Sequence, residues 1–420
     1  MNLITIKIDE IYETTITSLE NEGSGVGKVK GITVFVSGAL VGETVRVRIT
    51  QVKKNYARAK LIEIISPSIT REKSECPYYG KCGGCNLRHQ TEKENLNFKK
   101  AKIVTALKRI GKIDAEVQDV IPSLKVNNYR NKATFKVEKN KIGFYEENSY
   151  RLIDIDNCKL LEENINQCLI HIRNYIKSND NQVKMITIKY SNAFGNLLVD
   201  VFSADEKDER IIKYLIDMDK NVKTIIFNDQ VRYGDGYINQ ITNSLMFKCS
   251  AKSFFQINTV QTEKLYDTVM SVANLQRDDV VLDLYCGTGT LTNIIAKKVK
   301  RVIGIEIIQD AVFDAKENAK VNSINNVKFL CGNVLNEIKH INAKVNAIFI
   351  DPPRKGVEKS TLEVVLKIFP KKIIYISCNP VTLARDLKTL GEKYEVTKVI
   401  PVDMFPKTSH IECVCVLNRC

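Results

Sequence analysis

The sequence predicts a multidomain protein with an OB-like β-barrel at its N-terminus, an α+β domain in the middle and a Rossmann-like α/β domain at its C-terminus. Three observations predict this architecture. Short strand-like runs separated by glycines fill the first 66 residues, which is typical of a small barrel. Strands and helices then mix without a clean repeat over 120–260. From Val280 onward, buried strands alternate with helical stretches, as in a doubly wound, mainly parallel sheet.

The chain is long enough for three domains with hydrophobic cores. Its 420 residues are 44% hydrophobic and 27% charged, a composition typical of globular proteins. We predict a barrel domain over 1–66, a central domain over 67–265 and a third domain over 266–420. No apolar run approaches the roughly 18 residues that cross a bilayer, and the charged first ten residues are unlike a signal peptide. We therefore expect no membrane association.

The balance of charge points to a polyanionic partner. The net charge is +14, which favours nucleic acid first and an anionic membrane second. The alternative is a uniformly basic composition without a binding role. Twelve cysteines without a secretory signal indicate a reducing, cytoplasmic location in which cysteine serves metals or catalysis. The sequence gives no sign of an obligate protein partner.

The strand-like runs of the barrel domain are short and rich in β-branched residues. They cover 34–36, 44–49 and 59–65, with glycines between them. Residues 46–60 hold six basic residues, no acidic residue and Tyr56. Such a segment can bind a nucleic-acid backbone and stack a base. The alternative is a solvated sheet edge on which lysine and arginine prevent aggregation.

Periodicity predicts the helices and strands that follow. A helix is expected over 91–110, where apolar residues recur at helical spacing with lysines elsewhere; they are Leu96, Ile103, Leu107 and Ile110. In the third domain, 309–321 and 360–368 read as helices. The predicted strands of that domain are 280–284, 302–305, 327–330, 347–350 and 373–376.

A glycine-rich turn follows the first strand of the third domain. Residues 283–290 read Asp-Leu-Tyr-Cys-Gly-Thr-Gly-Thr, and glycine lets the backbone turn tightly against a ligand at the carboxyl end of a strand. Thr292 stands where a dinucleotide-binding motif has its third glycine, and Asp283 would repel a pyrophosphate. Glu306 ends the next strand, where its carboxylate can accept ribose hydroxyls. The pattern resembles the S-adenosylmethionine (SAM) site of Rossmann-like methyltransferases; an ordinary strand-to-helix turn is the alternative.

A proline-stiffened loop follows the fourth strand. Residues 351–356 read Asp-Pro-Pro-Arg-Lys-Gly, and the two prolines remove two backbone donors and restrict the loop. Asp351 then lies at the sheet edge that carries Gly287 and Glu306. The alternative is a purely structural turn, but the place of the loop after this strand favours a role in a site.

A cysteine and a glutamate form the pair most specific to one chemistry. Cys378 lies in Ser-Cys-Asn-Pro after the fifth strand, and Glu412 comes close to the C-terminus. The C5 atom of uracil is a poor nucleophile, so its methylation needs thiolate attack at C6 and a base that removes the C5 proton. We expect Cys378 to attack and Glu412 to accept the proton. Taken alone, a cysteine in this place is more often a buried strand-end residue.

Three cysteines lie close together in the sequence with glycines between them. Cys76, Cys82 and Cys85 are separated by five and by two residues, and glycines let the backbone wrap around a metal. Cys158 is the candidate fourth ligand. Four thiolates suit Zn²⁺ or a [4Fe–4S] cluster, and a single Cys-x2-Cys unit favours iron–sulfur without excluding zinc. His89 is an alternative ligand that we expect first on the surface, facing RNA; unligated cysteines are the remaining alternative.

Together these motifs resemble the RNA uracil-C5 methyltransferases, most closely the ribosomal-RNA branch with the RlmD/RumA-like and RlmCD-type enzymes of 23S ribosomal RNA. The resemblance covers almost the full chain and implies a TRAM domain at the front and a SAM-dependent methyltransferase domain at the end. It implies Cys378 as nucleophile and Glu412 as general base. It implies [4Fe–4S] ligands at Cys76, Cys82, Cys85 and Cys158. The implied SAM-contacting residues are Gln256, Tyr285, Thr290, Glu306, Asn333 and Asp351.

The resemblance also implies a substrate. Ribosomal RNA is the expected partner, residues 129–132 are expected near it, and the 91–110 helix is expected to pack on the catalytic domain. The chain departs from the family's usual residues at His89, where glutamine is common, and at Tyr150, where histidine is common. Both departures bear on RNA contacts rather than on methyl transfer. The alternatives are the same chemistry on transfer RNA and a non-catalytic iron–sulfur RNA-binding protein.

Overall fold

The first structural unit of the protein is a six-stranded sheet. The structure is a computed structural model that describes residues 6–420. The strands of this unit are β1 (Ile11–Thr15), β2 (Ser18–Leu19), β3 (Gly25–Val29), β4 (Ile32–Ser37), β5 (Thr44–Val52) and β6 (Tyr56–Ser66). They form one sheet in the order β1-β5-β6-β4-β3-β2 around a hydrophobic cluster. Val45, Val47 and Ile49 alternate with exposed residues along β5 and are fully buried, as a half-buried strand requires.

The helix that follows this sheet belongs to the core of the third unit. Helix α1 spans Glu92–Ala106 and continues as a π-helical turn over Leu107–Gly111. Ile103 and Leu107 are buried in the hydrophobic cluster of the third unit, whereas Ile110 is 38% exposed. The α-helix ends before the apolar spacing predicts, because the π-helical turn changes the residue spacing and moves Ile110 off the packed face.

The central unit is a seven-stranded sheet with two helices and a separate hairpin. Its elements are β7 (Lys132–Glu138), β8 (Lys141–Tyr145), β9 (Leu152–Asp154), α2 (Glu163–Ser178), β10 (Val183–Tyr190), β11 (Leu197–Ser203), α3 (Arg210–Met218), β12 (Val222–Phe227), β13 (Gln230–Tyr233), β14 (Tyr237–Thr242) and β15 (Leu245–Ser250). The sheet order is β13-β12-β11-β10-β7-β8-β9, and β14 pairs with β15. Leu169, Ile172 and Leu215 of the two helices are buried in one cluster with the sheet.

The third unit confirms the predicted doubly wound α/β domain. Its elements are α4 (Thr259–Ala273), β16 (Val280–Leu284), α5 (Thr290–Ala296), β17 (Arg301–Glu306), α6 (Gln309–Val321), β18 (Val327–Cys331), α7 (Val334–Glu337), β19 (Ala347–Ile350), α8 (Lys359–Ile368), β20 (Lys372–Ser377), α9 (Pro380–Leu390), β21 (Tyr394–Val402) and β22 (Glu412–Arg419). The sheet order is β18-β17-β16-β19-β20-β22-β21, and only the pairs that involve β22 are antiparallel. Within residues 6–420, no helix is both long and apolar enough to cross a membrane.

A buried ion pair joins α1 to the third unit. Lys99 Nζ lies 2.7 Å from Asp403 Oδ1 and donates to the Phe405 carbonyl at 3.0 Å. Both charged side chains are almost completely buried. Loss of one partner would leave the other charge buried and unpaired. The pair therefore holds residues 403–411, here called the β21–β22 segment, against α1.

Candidate active site

The strand ends of the third unit meet at one cavity. β16, β17, β19 and β20 are parallel, so their carboxyl ends share one edge of the sheet. This edge borders a cavity of about 810 Å³, a volume usual for a ligand pocket. All eight residues predicted to catalyse or to bind SAM line it: Gln256, Tyr285, Thr290, Glu306, Asn333, Asp351, Cys378 and Glu412.

Strand register brings the predicted nucleophile to the predicted base. Ser377 of β20 pairs with Cys413 of β22 in an antiparallel ladder. Cys378 and Glu412 are the next residues in opposite chain directions, so they lie opposite each other where the pairing ends. The pairing of β20 with β22 thus brings together two residues that are far apart in the sequence.

The turn after β16 uses left-handed backbone at three positions. Tyr285, Gly287 and Gly289 have φ angles of 65°, 53° and 75°, a region that glycine adopts without strain. A Cβ atom at Gly289 would lie 3.0 Å from both Ala315 Cβ and Phe329 Cζ, so only glycine fits there comfortably. Tyr285 adopts its φ without that freedom, and such positions are concentrated at functional sites.

Glu306 is fastened to this turn by backbone amides. Its Oε2 accepts from the Gly287 N–H at 3.1 Å. Its Oε1 accepts from the N–H groups of Ile307 and Ile308 at 2.8 and 2.9 Å. Each carboxylate oxygen has about two acceptor sites, so Oε1 is saturated and Oε2 keeps one site for a ligand hydroxyl.

Two further carboxyl groups at the cavity have raised pKa values. Burial raises the pKa of Asp283 and of Asp351 to about 7. Thr292 Oγ1 donates to Asp283, which opposes that rise. A ligand ammonium group placed beside these carboxyl groups would favour their ionised forms and be held by them.

Tyr266 is a cavity residue that carries no signal in the sequence. It lies on α4 and is 5% exposed. Burial and the nearby Asp351, Asp283 and Glu412 hold the pKa of its hydroxyl far above the ordinary value, so it stays protonated. It lines the same cavity as Gln256, one of the predicted SAM residues. In the sequence it resembles any core tyrosine of a helix, and only the packing of α4 on the sheet brings it among the carboxyl groups.

Asn379 fastens the loop that presents Cys378. Its Oδ1 accepts from the Val381 N–H at 3.1 Å, which caps α9, and its Nδ2 donates to the Arg354 carbonyl at 2.9 Å. Pro380 occupies the start of the helix, where its missing N–H is not needed. The Asn-Pro sequence therefore starts a helix and also ties the cysteine loop to the Asp-Pro-Pro-Arg loop.

Burial and neighbouring charges both shift the pKa values of the predicted catalytic pair. Burial, with Glu412 and Asp351, raises the pKa of Cys378 to about 11. Burial and Asp351 raise the pKa of Glu412, which is 6% exposed, well above its ordinary value. Arg354 opposes both shifts. This guanidinium is therefore the cation that favours the ionised, reactive form of each partner.

His410 connects Arg354 to the β21–β22 segment. Arg354 Nη2 lies 3.4 Å from His410 Nε2. Burial and the Arg354 charge lower the pKa of His410 to about 4, so its ring is neutral at physiological pH. A neutral imidazole can accept the guanidinium hydrogen. The contact helps to orient Arg354 at the cavity.

The remaining predicted SAM residues lie at or near the starts of helices. Thr290 is the first residue of α5. Asn333 caps α7 by accepting from the Leu335 N–H at 2.9 Å. Gln256 lies two residues before Asn258, which caps α4. Amide N–H groups are unpaired at helix starts, so these positions suit the polar groups of a ligand.

A second cavity, of about 670 Å³, brings together the four predicted metal ligands. Cys76, Cys82 and Cys85 come from the segment between β6 and α1, and Cys158 comes from the central unit just before α2. The Gly84 N–H donates to Cys82 Sγ at 3.4 Å. We call this the cysteine cavity. Within residues 6–420, no three His, Cys, Asp or Glu side chains are grouped so as to hold a metal ion.

Basic side chains flank the cysteine cavity. Arg88, Arg130 and Lys132 line it. Burial raises the pKa of Cys85 to about 12, and Arg88 opposes the rise. Burial also raises the pKa of Cys158, opposed by backbone amides and by Arg130. Cations beside thiols favour the thiolate, the form that binds metals.

The predicted RNA-facing residues are largely buried. The expectation that His89 lies on the surface is wrong, because the side chain is 2% exposed and its Nδ1 pairs with the Tyr79 hydroxyl. Burial lowers the pKa of His89 to about 4. Tyr129 and Asn131, expected near RNA, are also buried, and Asn131 Nδ2 donates to the Gln256 carbonyl at 3.2 Å. Tyr129 and Asn131 are therefore buried packing residues, and Asn131 holds the segment that carries Gln256.

The basic segment of the first sheet is partly neutralised by acids from neighbouring strands. Arg46 pairs with Glu13 at 2.8 Å and with Glu63 at 2.5 Å. The register of β1, β5 and β6 places both acids opposite this arginine, which local sequence does not show. Tyr150, the second departure from the family's usual residues, is 90% exposed. Its side chain, unlike that of His89, is free to meet a partner.

Comparison with protein families identifies both the barrel and the rest of the chain. The model described as tRNA (Uracil-5-)-methyltransferase matches residues 91–420. The chain belongs to the RNA uracil-5-methyltransferase family. The model of the TRAM domain matches residues 7–62. The predicted family is confirmed, and this uracil-5-methyltransferase family member is a SAM-dependent RNA methyltransferase with an N-terminal TRAM domain.

Full-length relatives support the assignment of this methyltransferase. The chain is 37% identical to a Clostridium tetani protein named an uncharacterized RNA methyltransferase, over 99% of this chain and 98% of that one. It is 38% identical to a Clostridium acetobutylicum protein of the same description, over 99% of each chain. The structure resembles the Pyrococcus abyssi tRNA (uracil-54, C5)-methyltransferase in complex with S-adenosyl-L-homocysteine. That match has a TM-score of 0.79 and 25% identity, and covers 97% of this chain and 100% of the other.

Proposed function

We propose that the protein methylates C5 of a specific uridine in 23S ribosomal RNA, with SAM as methyl donor and a transient bond between Cys378 and C6 of the base. The observation that carries this proposal is the single cavity lined by Cys378, Glu412 and the six expected SAM residues. A nucleophile, a base and a cofactor site in one place are what C5 methylation requires.

Cys378 and Glu412 divide the reaction between them. The Cys378 thiolate attacks C6, forms an S–C6 bond and places an enolate electron pair at C5. SAM supplies the methyl group to C5 and leaves as S-adenosylhomocysteine. Glu412 then takes the C5 proton, the freed electron pair restores the C5–C6 double bond, and the S–C6 bond breaks to return the thiolate. The opposite placement of the two residues at the ends of β20 and β22 supports their action on one uracil.

The raised pKa values fit these two roles with help from Arg354. Glu412 is a stronger base than an exposed glutamate, which suits removal of a carbon-bound proton. Cys378, with a pKa of about 11, is mainly a thiol at neutral pH, and Arg354 favours its thiolate. The substrate base must also leave its stack, which costs a few kcal/mol and least in a loop or bulge. Basic side chains that bind flanking phosphates offset that cost.

Transfer RNA is the second candidate substrate. Ribosomal RNA is proposed first because the motif set resembles the ribosomal-RNA branch of the family. The Pyrococcus abyssi structure favours the second candidate, since its name gives uracil-54 of tRNA as the target and its match covers 97% of this chain. A match of that extent includes the barrel. The barrel is therefore not by itself a mark of a ribosomal substrate.

Methylation of the two RNA classes side by side tests the proposal. Ribosomal and transfer RNA from cells that lack the protein would be incubated with it and methyl-labelled SAM, and the position of 5-methyluridine would be mapped. We expect label in 23S ribosomal RNA. Label in transfer RNA alone would support the second candidate, and no label in either would overturn both. Uridine tritiated at C5 gives an independent readout, because each methylation releases one tritium to water.

We also propose that Cys76, Cys82, Cys85 and Cys158 hold a [4Fe–4S] cluster. Four thiols around one cavity, with basic side chains and an amide donor beside them, support this assignment. A single zinc ion needs all its ligands within about 2.3 Å of one point. Among residues 6–420 no three His, Cys, Asp or Glu side chains are grouped to hold a metal ion, so the choice of a cluster over zinc rests on the resemblance to the family. Its proposed role is structural, since methyl transfer from SAM needs no redox step.

Metal and sulfide analysis tests the cluster directly. Protein purified without oxygen should contain iron and acid-labile sulfide, about four of each per chain. It should also show a broad visible absorbance that is lost on oxidation. One zinc per chain without sulfide would overturn the proposal in favour of a zinc site.

A further inference from the structure

A hydrogen-bonded junction joins the barrel, the cysteine segment and the β21–β22 segment. Asn86, the residue after Cys85, lies at its centre. Its Nδ2 donates to the Glu22 carbonyl of the barrel at 2.6 Å and to Ser409 Oγ at 2.9 Å. Its Oδ1 accepts from the Ser409 N–H at 2.8 Å. One side chain thus connects three segments, two of which are 323 residues apart in sequence.

Neighbouring contacts make the junction close-packed. The Leu87 N–H donates to the Lys407 carbonyl at 3.1 Å. A Cβ atom at Gly23 of the barrel would lie 2.8 Å from Leu87 Cδ2, so the barrel loop approaches this segment closely. Lys102 Nζ donates to the Ser409 carbonyl at 3.0 Å. The backbone N–H, the carbonyl and the hydroxyl of Ser409 are therefore all held.

We propose that Asn86 is a positioning residue, which fixes Ser409 and thereby places Glu412 against the target base. The inference rests on the proposed function, in which Glu412 removes the C5 proton. Only two residues separate Ser409 from Glu412, and one of them, Ile411, is 1% exposed. The connection therefore has little freedom to absorb a shift. A misplacement of about 1 Å can cost about a hundredfold in rate.

The junction acts mainly on the last step of the reaction. Cys378 lies in the loop between β20 and α9, which Asn379 fastens and Asn86 does not contact. Attack at C6 and methyl transfer therefore slow less than proton removal when Asn86 is changed, with the contact from His410 to Arg354 as the route to Cys378. A displaced Glu412 leaves the C5 proton in place, so the S–C6 bond cannot break. The methylated RNA then stays attached to the protein.

Asn86→Ala and Asn86→Asp test the inference against Asn326→Ala as a matched control. Asn326 is also partly buried, and its Nδ2 donates to the carbonyls of Ala296 and Val299, both at 2.9 Å. Loss of the Asn326 side chain removes two hydrogen bonds in the third unit, which also contains Glu412, and does not alter a contact of the β21–β22 segment. The measurements are tritium release from C5-labelled uridine in RNA, SAM affinity, Tm and methylated protein–RNA adduct on a denaturing gel.

We expect Asn86→Ala to slow tritium release by about tenfold to a hundredfold, with adduct accumulating and SAM affinity unchanged. Asn86→Asp keeps the acceptor for the Ser409 N–H and loses both donated bonds. Its rate of tritium release should therefore lie between those of the wild type and Asn86→Ala. Asn326→Ala should release tritium at the wild-type rate even with a lower Tm.

Equal slowing in Asn86→Ala and Asn326→Ala, or slowing without adduct, would overturn the inference. Wild-type rates in both Asn86 variants would overturn it while the proposed function stands. A wild-type protein that releases no tritium would overturn the proposed function and, with it, this role of Asn86.

Discussion

Two cavities of similar size contain cysteines, and the charged side chains beside the thiols differ in sign between them. The proposed catalytic cavity, of about 810 Å³, places Cys378 among carboxyl groups, and the cysteine cavity, of about 670 Å³, places four cysteines beside basic side chains. Burial raises thiol pKa values in both. Glu412 and Asp351 add to the rise at Cys378, whereas Arg88 and Arg130 oppose it in the other cavity. Burial dominates in both cavities, since the pKa is raised to about 11 at Cys378 and to about 12 at Cys85. The two cavities differ in the sign of the charges beside the thiols, and a cation favours the thiolate that a metal needs.

The largest expected effect is at the catalytic cysteine. Cys378→Ala removes the proposed nucleophile, so tritium release should fall by at least about 10⁴-fold, as for other essential nucleophiles. The side chain is only partly buried, so Tm and iron content should hardly change. Cys331→Ala, at an exposed cysteine of the same domain, is the control and should be fully active. Undiminished release by Cys378→Ala would show that the nucleophile lies elsewhere.

Loss of the proposed base Glu412 should lower turnover less than loss of Cys378, and it should leave a methylated protein–RNA adduct. Glu412→Gln keeps the shape of the side chain but cannot accept the C5 proton, so turnover should fall by about 10³-fold. Methylated adduct should accumulate, because attack and methyl transfer come before proton removal. Glu358→Gln changes an exposed glutamate that also lines the cavity and should leave turnover intact. A Glu412→Gln protein that turns over normally and forms no adduct would remove Glu412 from the mechanism.

The catalytic cavity was the more predictable of the two because one rule of topology assembles it. Asp283, Glu306 and Asp351 lie in the last residues of a strand of the parallel sheet or directly after one, and such strands place their carboxyl ends at one edge. Cys378 follows the next strand of that sheet. Glu412 is different: the chemistry of C5 methylation suggested its role, but its position depends on β22 running antiparallel, which that chemistry does not predict.

The set of residues around the cysteine cavity could not be predicted from strand topology in the same way. Cys158 comes from the central unit, far along the chain from the other three, and no periodic rule brings it to them. His89 was expected on the surface, yet the segment packs between the barrel and α1, where Tyr79 pairs with its ring. Tyr266 was not predicted either, because only the packing of α4 on the sheet of the third unit brings it to the cavity. Such positions depend on tertiary contacts, which local pattern does not contain.

A third prediction concerns Arg354, the cation that opposes the pKa shifts of both proposed catalytic residues. Activity needs the Cys378 thiolate and the Glu412 carboxylate, and both pKa values are raised. Activity should therefore rise with pH through the neutral range, and below the pKa of about 11 the thiolate fraction gains about tenfold per pH unit. Arg354→Gln removes the charge that lowers both pKa values, so the profile should move to higher pH. Turnover at neutral pH should fall by about tenfold.

The control for the arginine is its exposed neighbour. Lys355→Gln removes one positive charge from the same loop, 75% exposed and paired only at 4.0 Å with Glu358, and should leave the pH profile in place. The measurement is tritium release across pH with both variants. A profile of Arg354→Gln that keeps its wild-type position, or moves to lower pH, would contradict the electrostatic role.

The smallest expected effect tests whether the two cavities are independent. Among the described residues, none lines both, and changes at separated sites are usually additive to within about 0.5 kcal/mol. Cys85→Ser should therefore lose its iron and yet change SAM affinity by no more than roughly twofold, measured by calorimetry. Cys378→Ala should retain iron, which makes it the reciprocal control. If SAM affinity falls in step with iron content, the cysteine cavity supports the cofactor site as well, and the contact from Asn131 to the Gln256 carbonyl is the route to test first.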